Sequence, residues 1–407
     1  MHDFQALSAS ERQRFEAARA RFPGALSQSY IDVASRGLIP ENAPELAFSH
    51  LAQRVQGRAD KHAYFELVEG CRRGFAQLVG AAVDEIAITK NISEGLNIVA
   101  ASIGWRAGDE VFLCSAVEHP NNIYAWRNLE RQSVSVRDFP SPDGLFPIDA
   151  VIEALQGKHR ARVVAVSTTS FAPGFRVDME RLGAACRKAG VYLVVDAAQS
   201  AGITHIDLAK TQIDALAVST QKGLCSLYGM GFLYVRREFA ETLTPRYLAR
   251  FGVDIDASHE ADYDPGPVRY QRAAQRFDLG NYNFLAALLV GDTLKLLNQL
   301  GTPAIDRHVT HLATELANGL VQLGAPVAAP ANALRANMVC IQSQSGPAAA
   351  VQLQQHLQRN KVQVAMRRNT VRFSFHLYNN MADVEAALQA CKTWLEPHGA
   401  TLRKQQA

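Results

Sequence analysis

Between residues 60 and 255, apolar runs of four to six residues alternate with longer amphipathic stretches. Of all the sequence's features, this alternation most narrows the folds open to the chain. It predicts strands at 86–88, 111–114, 133–137, 162–167, 191–195, 215–219 and 231–235, and helices at 62–79, 93–102, 122–131, 149–156 and 178–189. Runs such as Val191–Val195 are apolar throughout, the mark of strands buried on both faces. The β–α order therefore calls for an α/β fold with a mostly parallel, doubly wound sheet. The last strand follows its predecessor through a short glycine-bearing link, too short for a crossover helix, and is predicted antiparallel.

The flanks add less. Ser8 and Glu11 have the spacing of a capping box, which predicts a leading helix over 7–20. Residues 252–278 are polar and punctuated by Pro and Gly, and read as a domain junction. Beyond them come helices at 282–300, 303–323, 347–359 and 381–395 and strands at 337–342, 362–366 and 371–375. The expected organisation is a helical segment over 1–20, a large domain over 21–265 and a smaller C-terminal α/β domain over 266–407. A length of 407 residues suffices for both cores.

With 48% hydrophobic and 20% charged residues, the chain has the composition of a soluble globular protein. The net charge of +3 is scattered, with no basic block, which argues against nucleic-acid or membrane partners. No apolar stretch approaches the roughly 20 residues of a membrane span, and no signal peptide is visible. The six cysteines (Cys71, Cys114, Cys186, Cys225, Cys340, Cys391) show neither CxxC nor metal-ligand spacing. They read as free thiols of a reducing compartment, so the expected location is cytoplasmic and no metal is expected.

The chemistry concentrates where strands end. The run 191–195 stops at Asp196, and the run 215–218 leads through Ser219–Thr220–Gln221 to Lys222. Parallel strands bring both to the carboxyl edge, where open α/β sheets bind ligands. An acid and an amine there suit pyridoxal phosphate (PLP): lysine forms a Schiff base with the aldehyde, and aspartate keeps the pyridine nitrogen protonated. The alternative is a sheet-edge salt bridge. Asn91, Ser93, Glu94 and Gly95 begin a helix just after a strand, which gives either a phosphate cradle or an ordinary N-cap. His119, in Val117–Asn122 after another strand, can stack on a flat ring or be structural. Arg367, Arg368 and Arg372 lie in a strand–turn–strand near the C-terminus. A guanidinium there could fork a substrate carboxylate; Arg372 alternates with Val371 and Phe373 and so faces the other way. Arg368 reads as solvated.

In this order the segments resemble the class V aminotransferase family of PLP enzymes (fold type I), from YIDVASRGLIP at 30–40 to VRFSFHLYNNMADVEAAL at 371–388. That family includes cysteine desulfurases, isopenicillin-N-epimerase-like proteins, kynureninases and alanine–glyoxylate aminotransferases. The most specific parts are VVDAAQSAG, STQKG and LYGMGFLYV. The resemblance implies Lys222 as the Schiff-base lysine, Asp196 as the pyridinium partner, His119 as the stacking ring and Gln199 on the phenolic oxygen. Ser93, Ser219 and Gln221 would hold the phosphate, with Asn91 to Gly95 adding backbone donors. Arg372 would take the substrate carboxylate. In the early turn Ser35 is a candidate substrate contact, and Arg36 reads as a surface arginine with a selectivity role in the pocket as the alternative. It also implies a homodimer in which Asn281 contacts the partner's phosphate.

Two departures refine the expectation. Cysteine desulfurases have His–Lys where this chain has Gln221–Lys222. They also carry a long loop with a nucleophilic cysteine where this chain has only Arg368–Asn369–Thr370. Cys225 reads as a packed thiol. The expected activity is transamination between a small L-amino acid and a 2-oxo acid. β-Elimination by a C–S lyase is the alternative, followed by epimerisation and then a non-enzymatic PLP-binding role. No GxGxxG follows an early strand, which weighs against a dehydrogenase.

Overall fold

The computed structural model describes residues 7–255, 266–328, 330 and 333–402. Its centre is a seven-stranded sheet. The strands are β1 (Ile86–Thr89), β2 (Glu110–Leu113), β3 (Ser135–Asp138), β4 (Ala161–Ser167), β5 (Tyr192–Asp196), β6 (Ala215–Ser219) and β7 (Gly231–Val235). Their order is β1-β7-β6-β5-β4-β2-β3. Only β7 runs against its neighbours, β1 and β6, as the short link before it predicts. The side-chain period of two divides each central strand between two cores. Leu193, Val195, Leu216 and Val218 enter one, and Val194, Ala215 and Ala217 the other. Residues apolar at every position are what a sheet covered by helices on both faces requires.

Four helices bear on the site: α1 (Lys61–Val79), α2 (Ile92–Ser102), α3 (Asn121–Arg127) and α4 (Phe284–Leu300). α4 packs along α1. A buried ion pair helps lock this layer to the sheet. Arg72 on α1 donates to Asp278 at 2.7 Å, and Asp278 also accepts the Ile88 N–H of β1 at 2.8 Å and the Tyr282 hydroxyl at 2.9 Å. The capping box at Ser8 forms as expected, with Ser8 Oγ accepting the Glu11 N–H and Glu11 accepting the Ser8 N–H. Residues 256–265 of the expected junction lie outside the described residues. No helix among the described residues is long and apolar enough to cross a membrane.

A second, three-stranded antiparallel sheet comprises β8 (Met338–Gln342), β9 (Ala365–Arg367) and β10 (Thr370–Ser374) in the order β8-β10-β9. Helices Pro347–Arg359 and Thr302–Gln322 pack on it. The strand expected over 362–366 is in fact two. Val362–Gln363 pairs in parallel with Ser29–Tyr30, while Ala365–Arg367 turns to β10. This brings the early turn at 32–37 against the small sheet and close to the carboxyl edge of the large one. The Ile31 carbonyl accepts the Ser374 N–H at 2.9 Å, and the Gly37 N–H donates to the Gln221 carbonyl at 2.9 Å.

Candidate active site

Asp196 ends β5, and Lys222 follows β6 by three residues, so both reach the same edge of the sheet. They border one cavity of about 280 Å³, together with Ser35, His119, Ser167, Gln199, Gln221 and Arg367 among others. Asp196 is buried, and one of its oxygens accepts the Ala198 N–H at 2.8 Å. Burial raises its pKa, opposed by that bond and by the nearby Lys222. Burial lowers Lys222 to about 8; Asp196 works against the shift, and Arg372 and Arg367 add to it. Acid and amine influence each other through space with no hydrogen bond between them. The salt bridge that the sequence left open is therefore not the arrangement formed.

The turn carrying the lysine is held by close backbone packing. A Cβ on Gly37 would stand 2.2 Å from the Lys222 carbonyl oxygen, and one on Gly223 would stand 2.2 Å from that of Ala201. Only glycine permits either approach. His376 Nε2 bonds the Gly223 carbonyl at 2.8 Å. Cys225 is buried here, its thiol pushed up by burial and packed 3.9 Å from the Gly223 oxygen.

His119 packs edge-on against Phe171 at 4.9 Å, and its Nδ1 accepts the Asn121 N–H at 3.2 Å. Burial, then Lys222, Arg367 and Arg372, lower its pKa, so the ring is neutral with its proton on Nε2. On the opposite side, Ser219 Oγ accepts the Ile92 N–H at 2.8 Å, stitching β6 to the start of α2. Asn91 caps α2 by accepting the Glu94 N–H at 2.9 Å, and Glu94 accepts the Lys90 N–H at 2.5 Å. Those two side chains are thus occupied in capping. Gly95 lets α2 lie on the sheet, since its Cβ would meet that of Ala217 at 2.9 Å. Ser93 faces an adjoining open hollow with Tyr124, Arg127 and Arg131, which shares Asn121 with the cavity.

The arginines divide differently from expectation. Arg372 is fully buried, donating to the Phe171 carbonyl at 3.0 Å and reaching Ser35 Oγ at 3.5 Å, with its Nε unpaired. Arg367 is the one that lines the cavity, donating to Ser35 Oγ at 3.1 Å. Both guanidinium groups lie over the Phe171 ring, at 5.9 and 5.3 Å for Arg367 and Arg372. Arg36 and Arg368 are exposed, and only Ser35 of the early pair borders the cavity. Asn281 is exposed in a separate hollow with Lys61 and Phe251. Sequence reasoning passed over Ser167, Phe171 and Tyr228, which also line the cavity. Ser167 ends β4, the same signal that marked Asp196; Phe171 and Tyr228 sit in loops with no such signal.

Residues 47–387 match the family described as "Aminotransferase class-V". The chain belongs to this family. It is 30% identical over 330 residues to "Uncharacterized aminotransferase YcbU" of Bacillus subtilis (strain 168), covering 81% of this chain and 84% of that protein. Among solved structures it is similar to an apo cysteine desulfurase from Thermococcus onnurineus NA1, with TM-score 0.81, 26% identity and coverage of 94% and 98% of the two chains. It also shares its fold with a C-DES mutant that has glycine covalently linked to the PLP cofactor, with TM-score 0.80, 21% identity and coverage of 91% and 98%.

The family is PLP-dependent, and this chain's residues fit the cofactor. A buried carboxyl borders the cavity with one oxygen committed, and a depressed amine faces it. Gln199, whose Nε2 donates to the Ala34 carbonyl at 3.3 Å, leaves a buried oxygen without a partner at the wall. A buried polar atom left alone is costly unless something binds there.

Proposed function

We propose that this class V enzyme is an aminotransferase acting on a small L-amino acid and a 2-oxo acid, with Lys222 as its attachment and proton-transfer residue. One observation carries the reading: Lys222, depressed to about 8, faces Asp196 in a cavity that no cysteine lines. Bound PLP supplies an electron-withdrawing ring that delocalises the charge left when the Cα–H bond breaks. Asp196, buried at the end of β5, holds a proton at the ring nitrogen. Lys222 would anchor the cofactor through its amine and, as a free amine, would be the base that shuttles the substrate Cα proton. Transamination asks for one such shuttle and no nucleophilic thiol. His119, held by the Asn121 N–H, would stack on the ring and shield it from water. Ser219, Gln221 and the start of α2 hold the phosphate, with Ser93 beside them at the adjoining hollow, and Gln199 the phenolic oxygen. Arg367 binds the substrate carboxylate directly, and Arg372, buried behind it, acts through Ser35.

A homodimer fits the exposed position of Asn281, which a second copy could place on its neighbour's phosphate. The six buried free thiols suit a cytoplasmic location. The second reading is β-elimination by a C–S lyase. It is favoured by the desulfurase likeness and by the description of C-DES as a cystine C–S lyase. A single turnover of PLP-loaded protein with a panel of L-amino acids separates the two. Conversion to the pyridoxamine form with release of a 2-oxo acid supports transamination. Pyruvate and ammonia release with the original spectrum restored would replace it with elimination.

A further inference from the structure

Glu118 is a buried carboxyl, 6% exposed, that has no part in the chemistry above. Its Oε1 accepts the Ser167 N–H at 2.6 Å. Its Oε2 accepts from Asn122 Nδ2 at 2.9 Å and also meets the Ser167 hydroxyl. Asn122 in turn accepts the Trp126 indole N–H at 3.0 Å. Trp126 and Asn122 are both fully buried, and Ser167 nearly so. This chain of bonds runs from α3 to the last residue of β4. Ser167 there lines the cavity and stands in register beside Asp196 on β5. His119 is the next residue after Glu118.

Donor and acceptor rules fix the polarity of the chain. An indole N–H can only donate, so Asn122 must turn its oxygen to Trp126 and its NH₂ to Glu118. The Ser167 N–H is likewise a donor. Both Glu118 oxygens are therefore acceptors, and the Ser167 hydroxyl donates to Oε2. Burial first, then the charge of Asp196, raise Glu118 to about 7, while the bonds from Ser167 and Asn122 oppose them. We propose that Glu118 is a positioning residue of the PLP site, setting the direction of the Ser167 hydroxyl beside Asp196 and, through the 118–122 turn, the seat of the His119 ring. The inference rests on PLP occupying this cavity and is independent of whether the reaction is transamination.

The test is PLP titration into apo-protein, following the affinity and the visible circular dichroism of the bound cofactor alongside the melting temperature. Glu118→Gln sets an NH₂ against that of Asn122 and should weaken PLP roughly tenfold, with altered dichroism. Adding Asn122→Asp restores an acceptor that can still take the indole N–H. The pair Glu118→Gln/Asn122→Asp should recover affinity to within about threefold of wild type. Ser167→Ala removes one small hydroxyl and should change the dichroism and weaken PLP several-fold even if Glu118→Gln fails to fold. A Glu118→Gln protein that melts earlier but keeps wild-type affinity and dichroism would make the role merely structural and overturn the proposal. So would a double variant no better than the single one, or a silent Ser167→Ala. Wild-type protein that binds no PLP would sink the cavity assignment as well, which distinguishes the two failures.

Discussion

Only a neutral amine attacks an aldehyde, so the rate at which apo-protein captures PLP reports the ionisation of Lys222. Burial sets that amine at about 8. Its neutral fraction then climbs from about 9% at pH 7 to about 90% at pH 9, roughly tenfold, and flattens. An ordinary lysine would climb roughly a hundredfold over the same interval without flattening. Stopped-flow mixing of apo-protein with PLP from pH 6.5 to 9.5, read by the absorbance of the attached cofactor, gives the profile. Dividing each rate by that of a small free alkylamine in the same buffer cancels the cofactor's own titration. The ratio should fall about tenfold from pH 7 to pH 9. Asp196 is the neighbour that raises this pKa, so Asp196→Asn should move the midpoint lower. Arg367 lowers it, so Arg367→Gln should move the midpoint higher. A ratio flat across the range would mean a solvated, unperturbed lysine and would refute the argument. Midpoints shifted in the opposite directions would refute the assignment of its causes.

Gly37→Ala should abolish cofactor attachment without unfolding the large sheet, because its Cβ would stand 2.2 Å from the Lys222 carbonyl. A normal PLP absorbance in that variant would show that the turn can yield. Arg367→Gln should raise the KM of an amino acid roughly tenfold with kcat within about threefold, since carboxylate binding is what it loses. Steady-state kinetics in which kcat falls instead would give Arg367 a different task. Arg72→Ala strands Asp278 as a buried carboxyl without its cation and should cost about 3–5 kcal/mol in denaturant unfolding. A loss under about 1 kcal/mol would show that Tyr282 and the Ile88 N–H suffice.

The large sheet was legible because its strands are buried on both faces, which turns each into an apolar run ending sharply at a polar residue. Asp196, Lys222 and Ser219 were found by that ending. The direction of β7 followed from chain length alone. What stayed hidden depends on pairing between distant segments. Ser29–Tyr30 is too short to show a period, and its partner, Val362–Gln363, lies more than 300 residues away. Without that pairing, the early turn had no reason to sit at the site, and Ser35 could only be a suggestion. Alternation along β10 gave the side on which Arg372 points. It could not show that Phe171 and Ser35 cover it and leave Arg367 to meet the cavity. Glu118 beside His119 reads in sequence like any solvated acid; only the end of β4 closing over it makes it a buried one.

The hairpin between β9 and β10 bears most on which reaction this site performs. Arg367 pairs with Thr370, so the strands are joined by Arg368 and Asn369 alone, with Arg368 in the left-handed region at φ 55°. Asn369 pins the turn to Ser343, donating from Nδ2 at 2.6 Å and accepting the Ser343 N–H at 2.8 Å. A turn this short and this tied down has no reach. All six cysteines are buried, and none lines the cavity. Sulfur released from a substrate would therefore find no protein thiol to receive it, although the desulfurase likeness spans nearly the whole chain. In the proposed reading Lys222 moves the proton, Asp196 holds one at the ring nitrogen and Arg367 binds the carboxylate, and none of these roles needs a thiol. A cavity that holds these residues and no acceptor thiol is what supports the proposed transamination over sulfur transfer. It also leaves elimination, which needs no acceptor thiol, as the outcome that the single-turnover spectra must exclude.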